Sequence, residues 1–339
     1  IAQNDAAIVR ALFRSGMILL GKTNTVQFAY GGVGINTDHG TPHNPWAEKQ
    51  HVPGGSSSGS AVSVAAGMAP AAIGSDTGGS VRLPSALCGI TGLKTTVGRV
   101  SRSGVYPLSM TMDSVGPLAR SVEDAAWIYQ NIQGSDTADE TTLGVPTTDV
   151  LSSLNDGIEG LRLAFAESVF WDDIHPDIEK AVRGCKDVFK ALGADVDHTD
   201  FKTAIDAQKL NANGLVISAE AYMVNREWLE NHFDNLDPFV ANRMIKGKQI
   251  TAEKYLSSTL EWKRLRSQAM QSLSTIDALL VPTTCIPAPL TETLLSDHSI
   301  YSDKNIRLLR NTAIGNILNL CGLSVPCGLT KEGLPIGLM

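Results

Sequence analysis

The chain has 339 residues, long enough for one large domain with a sizeable core. Hydrophobic residues make up 43% and charged residues 19%, a globular balance that excludes a disordered or fibrous chain. Lys and Arg total 28 against 35 Asp and Glu, so the net charge is −7 and no basic cluster is dense enough to follow a phosphate backbone; nucleic acid is excluded as a direct partner.

The first element read from the pattern is a helix from about Asp5, N-capped by Asp5 and stopped at Gly16, followed by a short strand at Met17–Leu20. The most apolar run, Ala61 to Gly74, is about 14 residues, short of the ~20 that span a bilayer. "SVEDAAWIYQNIQG" reads as a helix with Ser121 and Asp124 in a Ser-x-x-acid cap and Gly134 as its stop. "LRLAFA" at 161–166 is a strand. In "PDIEKAVRGCKDVFKALGA", Ile178, Ala181, Val182, Cys185, Val188, Phe189 and Leu192 form a helical stripe, and the strand "ADVDH" follows, giving a β–α–β rhythm. Residues 201–275 read as mostly helical. "IDALLVPT" at 276–283 is a buried strand, "NTAIGNILNLCGLSVPCG" a helix, a Gly stop and a strand, and the chain stops in the strand-like "GLPIGLM". The five cysteines (Cys88, Cys185, Cys285, Cys321, Cys327) form no CxxC pair and no zinc spacing, which fits a reduced, cytoplasmic setting. The seven histidines fall in no catalytic or metal-ligand spacing, so no metal is expected.

Residues 53–85 hold 15 Gly or Ser in 33 positions, the composition of a linker. A linker has no use for Val62, Val64, Ala65, Ala66, Met68 and Ile73. The segment therefore reads as a helix of small side chains at 58–68, a strand at 71–75, and a turn at Thr77-Gly78-Gly79 entering a second helix. Three short patterns compete within it. Gly55-Ser56-Ser57-Ser58-Gly59 matches a nucleophile elbow, yet the polar "HNPWAEKQHVPGG" before it is no strand. Asp76-Thr77-Gly78 matches half of an aspartic protease dyad, without a second copy. The Gly-rich runs lack the Lys-Ser/Thr of a phosphate loop.

Read as a whole, "PGGSSSGSAVSVAAG", "IGSDTGGSVRLPSALCGITGLKTT" and "MDSVGPLARSVEDAA" resemble the amidase signature family. "GKTNTVQFAYG" and "HNPW" before them, and "DALLVPTTCIPAP" and "CGLSVPCGLTKEGLPIGL" after them, extend the resemblance over most of the chain, most weakly at 135–275. It implies an α/β fold in one large domain spanning 1–339, with a central mixed, twisted sheet covered by helices on both faces and a variable, mainly helical, substrate-shaping region at 135–275.

The resemblance also implies a Ser–cis-Ser–Lys amidohydrolase. Ser80 is then the nucleophile and Ser56, preceded by a cis peptide bond after Gly55, the proton relay. Backbone N–H groups of Thr77, Gly78, Gly79 and Ser80 form the oxyanion hole. Asp76 and Arg82 brace the loop as an ion pair, Ser58 assists by hydrogen bonding, and Ala29 lies on the wall of the acyl cleft. No cofactor is implied. The expected substrate is a small-molecule amide, with no membrane partner; a homodimer is left open.

In one respect the sequence departs from the family: the catalytic lysine belongs to a "Pro-x-x-x-Lys-Asp" segment upstream of Ile1. Lys22 in "GKTN" and Lys94 in "GLKTT" occupy positions the family uses structurally. This 339-residue chain is therefore expected to be close to inactive by itself. Two further readings stay open. The A subunit of a tRNA-dependent amidotransferase usually carries Met-Asp-Glu-Phe where this chain has Thr25-Val26-Gln27-Phe28, which favours a stand-alone amidase. A non-catalytic scaffold retaining the fold has no use for the Ser56 and Ser80 pair.

Overall fold

In the computed structural model of the chain, residues 3–211 and 214–339 are described; residues 1, 2, 212 and 213, inside the span read as one domain, lie outside the described residues. Helix α1 (Ala7–Arg14) has Ala6 rather than Asp5 at its N-cap, and Gly16 ends it at φ +81°. The expected strand at Met17–Leu20 does not form. Ile18, Leu19 and Leu20 remain 84%, 53% and 71% exposed, because extended aliphatic backbone becomes a strand only beside a partner ladder and none of the described strands pairs with it.

The Gly/Ser-rich segment is ordered and largely buried. It supplies α2 (Ser58–Ala65), β1 (Ala71–Asp76) and α3 (Arg82–Leu87). Strands β2 (Thr91–Lys94) and β3 (Ser114–Ala119) follow, then α4 (Val122–Ile132). The N-cap of α4 is as read: Ser121 Oγ accepts from Asp124 N at 3.0 Å. Next, β4 (Arg162–Ala166), α5 (Pro176–Ala191) and β5 (Asp195–Thr199) form the β–α–β unit, with β4 and β5 parallel. On α5, Ile178 and Val182 are buried against Leu163, Phe165 and Ile336, whereas Val188 and Leu192, read as part of the same stripe, are 58% and 60% exposed.

The helical region comprises α6 (Thr203–Asn211), α7 (Leu215–Val224), α8 (Arg226–Asn231), α9 (Pro238–Met244) and α10 (Ala252–Ser272). Val240, Met244, Trp262, Leu265 and Ala269 from it join Ile314 and Ile317 in the largest core cluster. Strand β6 (Ala278–Leu280) is shorter than the buried run suggested. Helices α11 (Thr291–Ser296) and α12 (His298–Ile317) precede β7 (Gly322–Leu329) and β8 (Pro335–Leu338). The left-handed residue after α12 is Asn319 (φ +54°), not a glycine.

The strands make an antiparallel sheet, β1-β3-β2-β7-β8, and a parallel one, β5-β4-β6. Val281 and Met339 exchange two backbone hydrogen bonds of 2.9 and 2.8 Å, so the edge strand β8 continues into the chain leaving β6. The result is a mixed α/β fold whose two wings meet beside β8. No helix among the described residues is long and apolar enough to cross a membrane.

Candidate active site

Strand β1 delivers Asp76 to the start of the loop Thr77–Ser80, and α3 begins two residues after that loop. Asp76 and Arg82 are 0% and 1% exposed and form a two-pronged ion pair, Arg82 Nη2 to Asp76 Oδ1 at 2.9 Å and Nε to Oδ2 at 3.1 Å. Asp76 Oδ2 also accepts from Val81 N at 3.1 Å, so the carboxylate pins both ends of the loop. Burial pushes the Asp76 carboxyl up, but Arg82 more than offsets this and, with Lys94 and Asn316, holds it at about 2.

A second clamp comes from α12, more than 230 residues along the chain. Thr312 Oγ1 donates to Gly78 O at 2.7 Å, and Asn316 Nδ2 donates to Asp76 Oδ1 at 2.8 Å. Asn316 Oδ1 accepts from Arg82 Nη2 at 2.7 Å. Gly79 has φ +138°, and a Cβ there would lie 2.1 Å from Thr312 Oγ1, so the sharp turn under α12 requires glycine. The backbone N–H groups of Gly78, Gly79 and Ser80 have no backbone acceptor among the described residues, which leaves three donors close together beside the Ser80 side chain.

Opposite this loop lies the turn Gly54–Ser58. The Gly55–Ser56 peptide bond is cis, as the resemblance implies. Gly55 N donates to Gly32 O at 2.8 Å, and a Cβ on Gly55 would meet Gly31 O and Gly34 N at 2.8 Å, so two chain segments press together here. Ser56 O accepts from Val26 N at 3.1 Å and Thr25 Oγ1 at 2.8 Å. The two serine-bearing turns touch directly: Ser57 N donates to Ser80 O at 3.3 Å. Ser56 and Ser80 are 1% and 5% exposed. The hydroxyls of Ser56 and Ser58 are buried with no hydrogen-bond partner among the described residues. Ser57 and Ser60 are otherwise engaged, Ser60 Oγ donating to Ile73 O at 2.9 Å. A cavity of about 230 Å³ adjoins them, lined by Thr23, Thr25, Ser57, Ser60 and Ser75 among others.

Ala29 ends a short turn at Gln27–Ala29 in the left-handed region, φ +58°, on the loop that also supplies Val26 and Gly32 to the Ser56 turn. Lys22 is exposed. Lys94 is 1% exposed, and its ammonium donates to Thr95 O at 2.8 Å and Leu320 O at 3.0 Å. Arg266 Nε donates to Ile317 O at 3.0 Å. These two cations satisfy carbonyls at and just past the C-terminus of α12, where positive charge is favoured. Burial and the neighbouring Arg82 bring the Lys94 ammonium down to about 8.

Two parts of the site escaped the reading of the sequence. Thr312 and Asn316 lie on α12 beside buried Asn311, and these polar residues interleaved with Ala313, Ile314 and Ile317 in "NTAIGNI" were the available signal. Asp113 accepts the Thr77 hydroxyl at Oδ1 and the N–H groups of Leu108 and Ser109 at Oδ2, 2.9 and 3.0 Å; burial raises its carboxyl to about 6. Among the described residues no group of three or more His, Cys, Asp or Glu is placed to hold a metal ion.

The family model described as Amidase matches residues 1–339. The chain is 36% identical to the 2-amino-5-chloromuconic acid deaminase of Comamonas testosteroni, over 99% of this chain and 70% of that protein. It is equally 36% identical to the A subunit of the glutamyl-tRNA(Gln) amidotransferase of Roseiflexus castenholzii, over 98% of this chain and 71% of that protein. The structure of 6-aminohexanoate cyclic dimer hydrolase superposes with a TM-score of 0.90 at 25% identity, over 99% of this chain and 74% of that one. With the serine turns, the clamped loop and the mixed sheet all in place along a match that runs the length of these residues, the chain belongs to the Amidase family of carbon–nitrogen hydrolases.

Proposed function

We propose that Ser80 is the nucleophile and Ser56 the proton relay of a stand-alone amidase acting on a small carboxamide. The observation that carries this reading is the junction of the two turns: Ser57 N bonds to Ser80 O while the neighbouring Ser56 hydroxyl is buried and unbonded, free to exchange protons. Ser80 Oγ attacks the amide carbonyl and its proton passes to Ser56, which hands its own to a neutral lysine. Lys22 is exposed and the Lys94 ammonium is committed to two carbonyls, so neither is assigned as that lysine. Ser56 returns a proton to the leaving nitrogen, the C–N bond breaks, and water hydrolyses the Ser80 ester.

The N–H groups of Thr77, Gly78, Gly79 and Ser80 receive the negative oxygen of the intermediate; those of Gly78, Gly79 and Ser80 are uncommitted to backbone acceptors, which supports the assignment. Asp76 and Arg82 brace the loop, Ser58 supports the Ser56 turn, and Ala29 lines the acyl side of the cleft. Residues 1–339 act as one amidase domain in which 135–275 shapes the substrate pocket. Five free thiols support a reducing, cytoplasmic setting.

The test is carried out on the natural full-length protein. A fluorophosphonate should add covalently to the peptide containing Ser80, and a panel of aliphatic and aromatic primary carboxamides should yield ammonia. Ser56→Ala should slow both, with kcat lower by about 10²–10⁴-fold, the usual worth of a positioned acid–base group. Labelling at another residue, or unchanged turnover in the Ser56 variant, refutes the assignment.

The similarity to the amidotransferase protein of Roseiflexus castenholzii favours a second reading, in which the same site releases ammonia from glutamine for a partner protein. Thr25-Val26-Gln27-Phe28 in place of the usual Met-Asp-Glu-Phe weighs toward the stand-alone enzyme. Glutamine-dependent transfer requiring a co-purifying partner would decide for the second reading.

A further inference from the structure

Glu220, on α7, is 3% exposed, yet among the described residues no cation is one of its hydrogen-bond partners. Its carboxylate accepts four hydrogen bonds from neutral donors: the Ser109 hydroxyl, Thr111 N at 3.2 Å, Thr111 Oγ1 at 2.8 Å and the Tyr255 hydroxyl of α10 at 2.6 Å. A carboxylate buried this way is costly, and an apolar side chain would fill the same space between helices without that cost. The bonds have a direction. Ser109 Oγ also accepts from Met112 N at 3.2 Å, and Asp113 N donates to Ser109 O at 3.1 Å. Asp113 in turn holds the Leu108 and Ser109 amides at one oxygen and the Thr77 hydroxyl at the other. A continuous buried path thus runs from the helical region to the first residue of the Thr77–Ser80 loop.

We propose that Glu220 is a positioning residue of the amidase reaction, which fixes the 108–113 loop and through Asp113 sets the place of Thr77 and the oxyanion donors beside it. The proposal rests on the assignment of the Thr77–Ser80 amides as oxyanion donors. The path also gives a reason for a buried acidic side chain in the helical region: it couples the packing of α7 and α10 to the geometry of the Thr77–Ser80 loop. Tyr106 OH, donating to Asn225 Oδ1 at 2.9 Å, is a second tie from the same stretch to the end of α7.

Three variants of the full-length protein test this, with kcat and KM measured on a turned-over carboxamide and folding followed by thermal melting. Glu220→Ala removes all four bonds and should lower kcat about 10–100-fold with KM within about twofold, the effect expected of a small displacement of oxyanion donors. Glu220→Gln should restore kcat to within a few-fold of the parent, because its amide oxygen keeps the Ser109 and Thr111 N bonds while the Thr111 and Tyr255 hydroxyls turn to accept from its NH₂. Ser109→Ala, which removes the Glu220 bond nearest Asp113 and the Met112 N bond but leaves both Thr111 bonds, should lower kcat several-fold even where Glu220→Ala does not fold. Unchanged kcat in a folded Ser109→Ala or Glu220→Ala chain overturns the proposal, as does a loss that follows the unfolded fraction alone. If the parent is not labelled by fluorophosphonate at Ser80, it is the assignment of the site that fails; a labelled parent with insensitive variants isolates the failure to Glu220.

Discussion

Replacing Ser80 by alanine should abolish covalent labelling by a fluorophosphonate and reduce amide hydrolysis on the order of 10⁶-fold, the scale on which an enzyme loses rate with its nucleophilic serine. The loss should fall on kcat. Alanine deletes one oxygen and leaves the loop's clamps untouched, since Gly78 O is held by Thr312 and the Asp76 carboxylate by Arg82 and Asn316. Substrate binding and thermal stability should therefore stay near those of the parent. The measurements are ammonia release, labelling followed by peptide mass analysis, and a melting curve on the same preparation. Residual hydrolysis within tenfold of the parent would mean that another group attacks the carbonyl.

The largest expected loss of stability comes from Arg82. In Arg82→Met the methylene stem is roughly preserved, but the Asp76 carboxylate is left 0% exposed without its guanidinium partner. Stranding one member of a buried ion pair costs about 3–5 kcal/mol. Val81 N and Asn316 Nδ2 still reach the carboxylate, which places the expected value toward the lower end. The pH dependence follows from the sign of the shift. In the parent, Asp76 is held at about 2 against an ordinary 3.8, so the folded state binds its proton less tightly than the unfolded chain. The stability it contributes is complete above pH 3.8 and is lost as the pH falls toward 2. In Arg82→Met burial dominates and the carboxyl rises above its ordinary value, so stability should instead increase as the pH is lowered through that raised value. Urea midpoints at several pH values check both statements; a variant with the parent's midpoint and the parent's acid limb would show that the pair contributes nothing.

Much of this architecture was legible because local chemistry and tertiary role agree. Ser121 caps α4 in the expected way, and the strand read at "LRLAFA", the stripe of α5 and "ADVDH" became a parallel β–α–β unit. The Gly/Ser-rich segment was readable as ordered because its aliphatic residues needed a core, and its motifs led to Ser56, Ser80 and the Asp76–Arg82 pair. Where the reading failed, the deciding partner lay far away in sequence. Met17–Leu20 has strand-like residues but no paired ladder among the described strands, and Val188 and Leu192 continue a periodic pattern while remaining largely exposed. Thr312, Asn316 and Glu220 carry no local motif, and Asp113, although it stands in "MDSVGPLARSVEDAA", shows no role there without its partners. Their roles arise from hydrogen bonds spanning 36 to 240 residues, which no short window of sequence contains.

The dependence of the Thr77–Ser80 turn on α12 has a consequence for synthesis. Asp76 and Asn316 are 240 positions apart, so at about 5–20 residues per second the ribosome delivers the turn roughly 10–50 s before the helix that clamps it. During that interval the glycines at 78 and 79 are unrestrained and the three amides cannot be held together. The nascent polypeptide therefore carries Ser80 on an unclamped loop, and the geometry proposed for hydrolysis forms only as the last fifth of these residues emerges and docks.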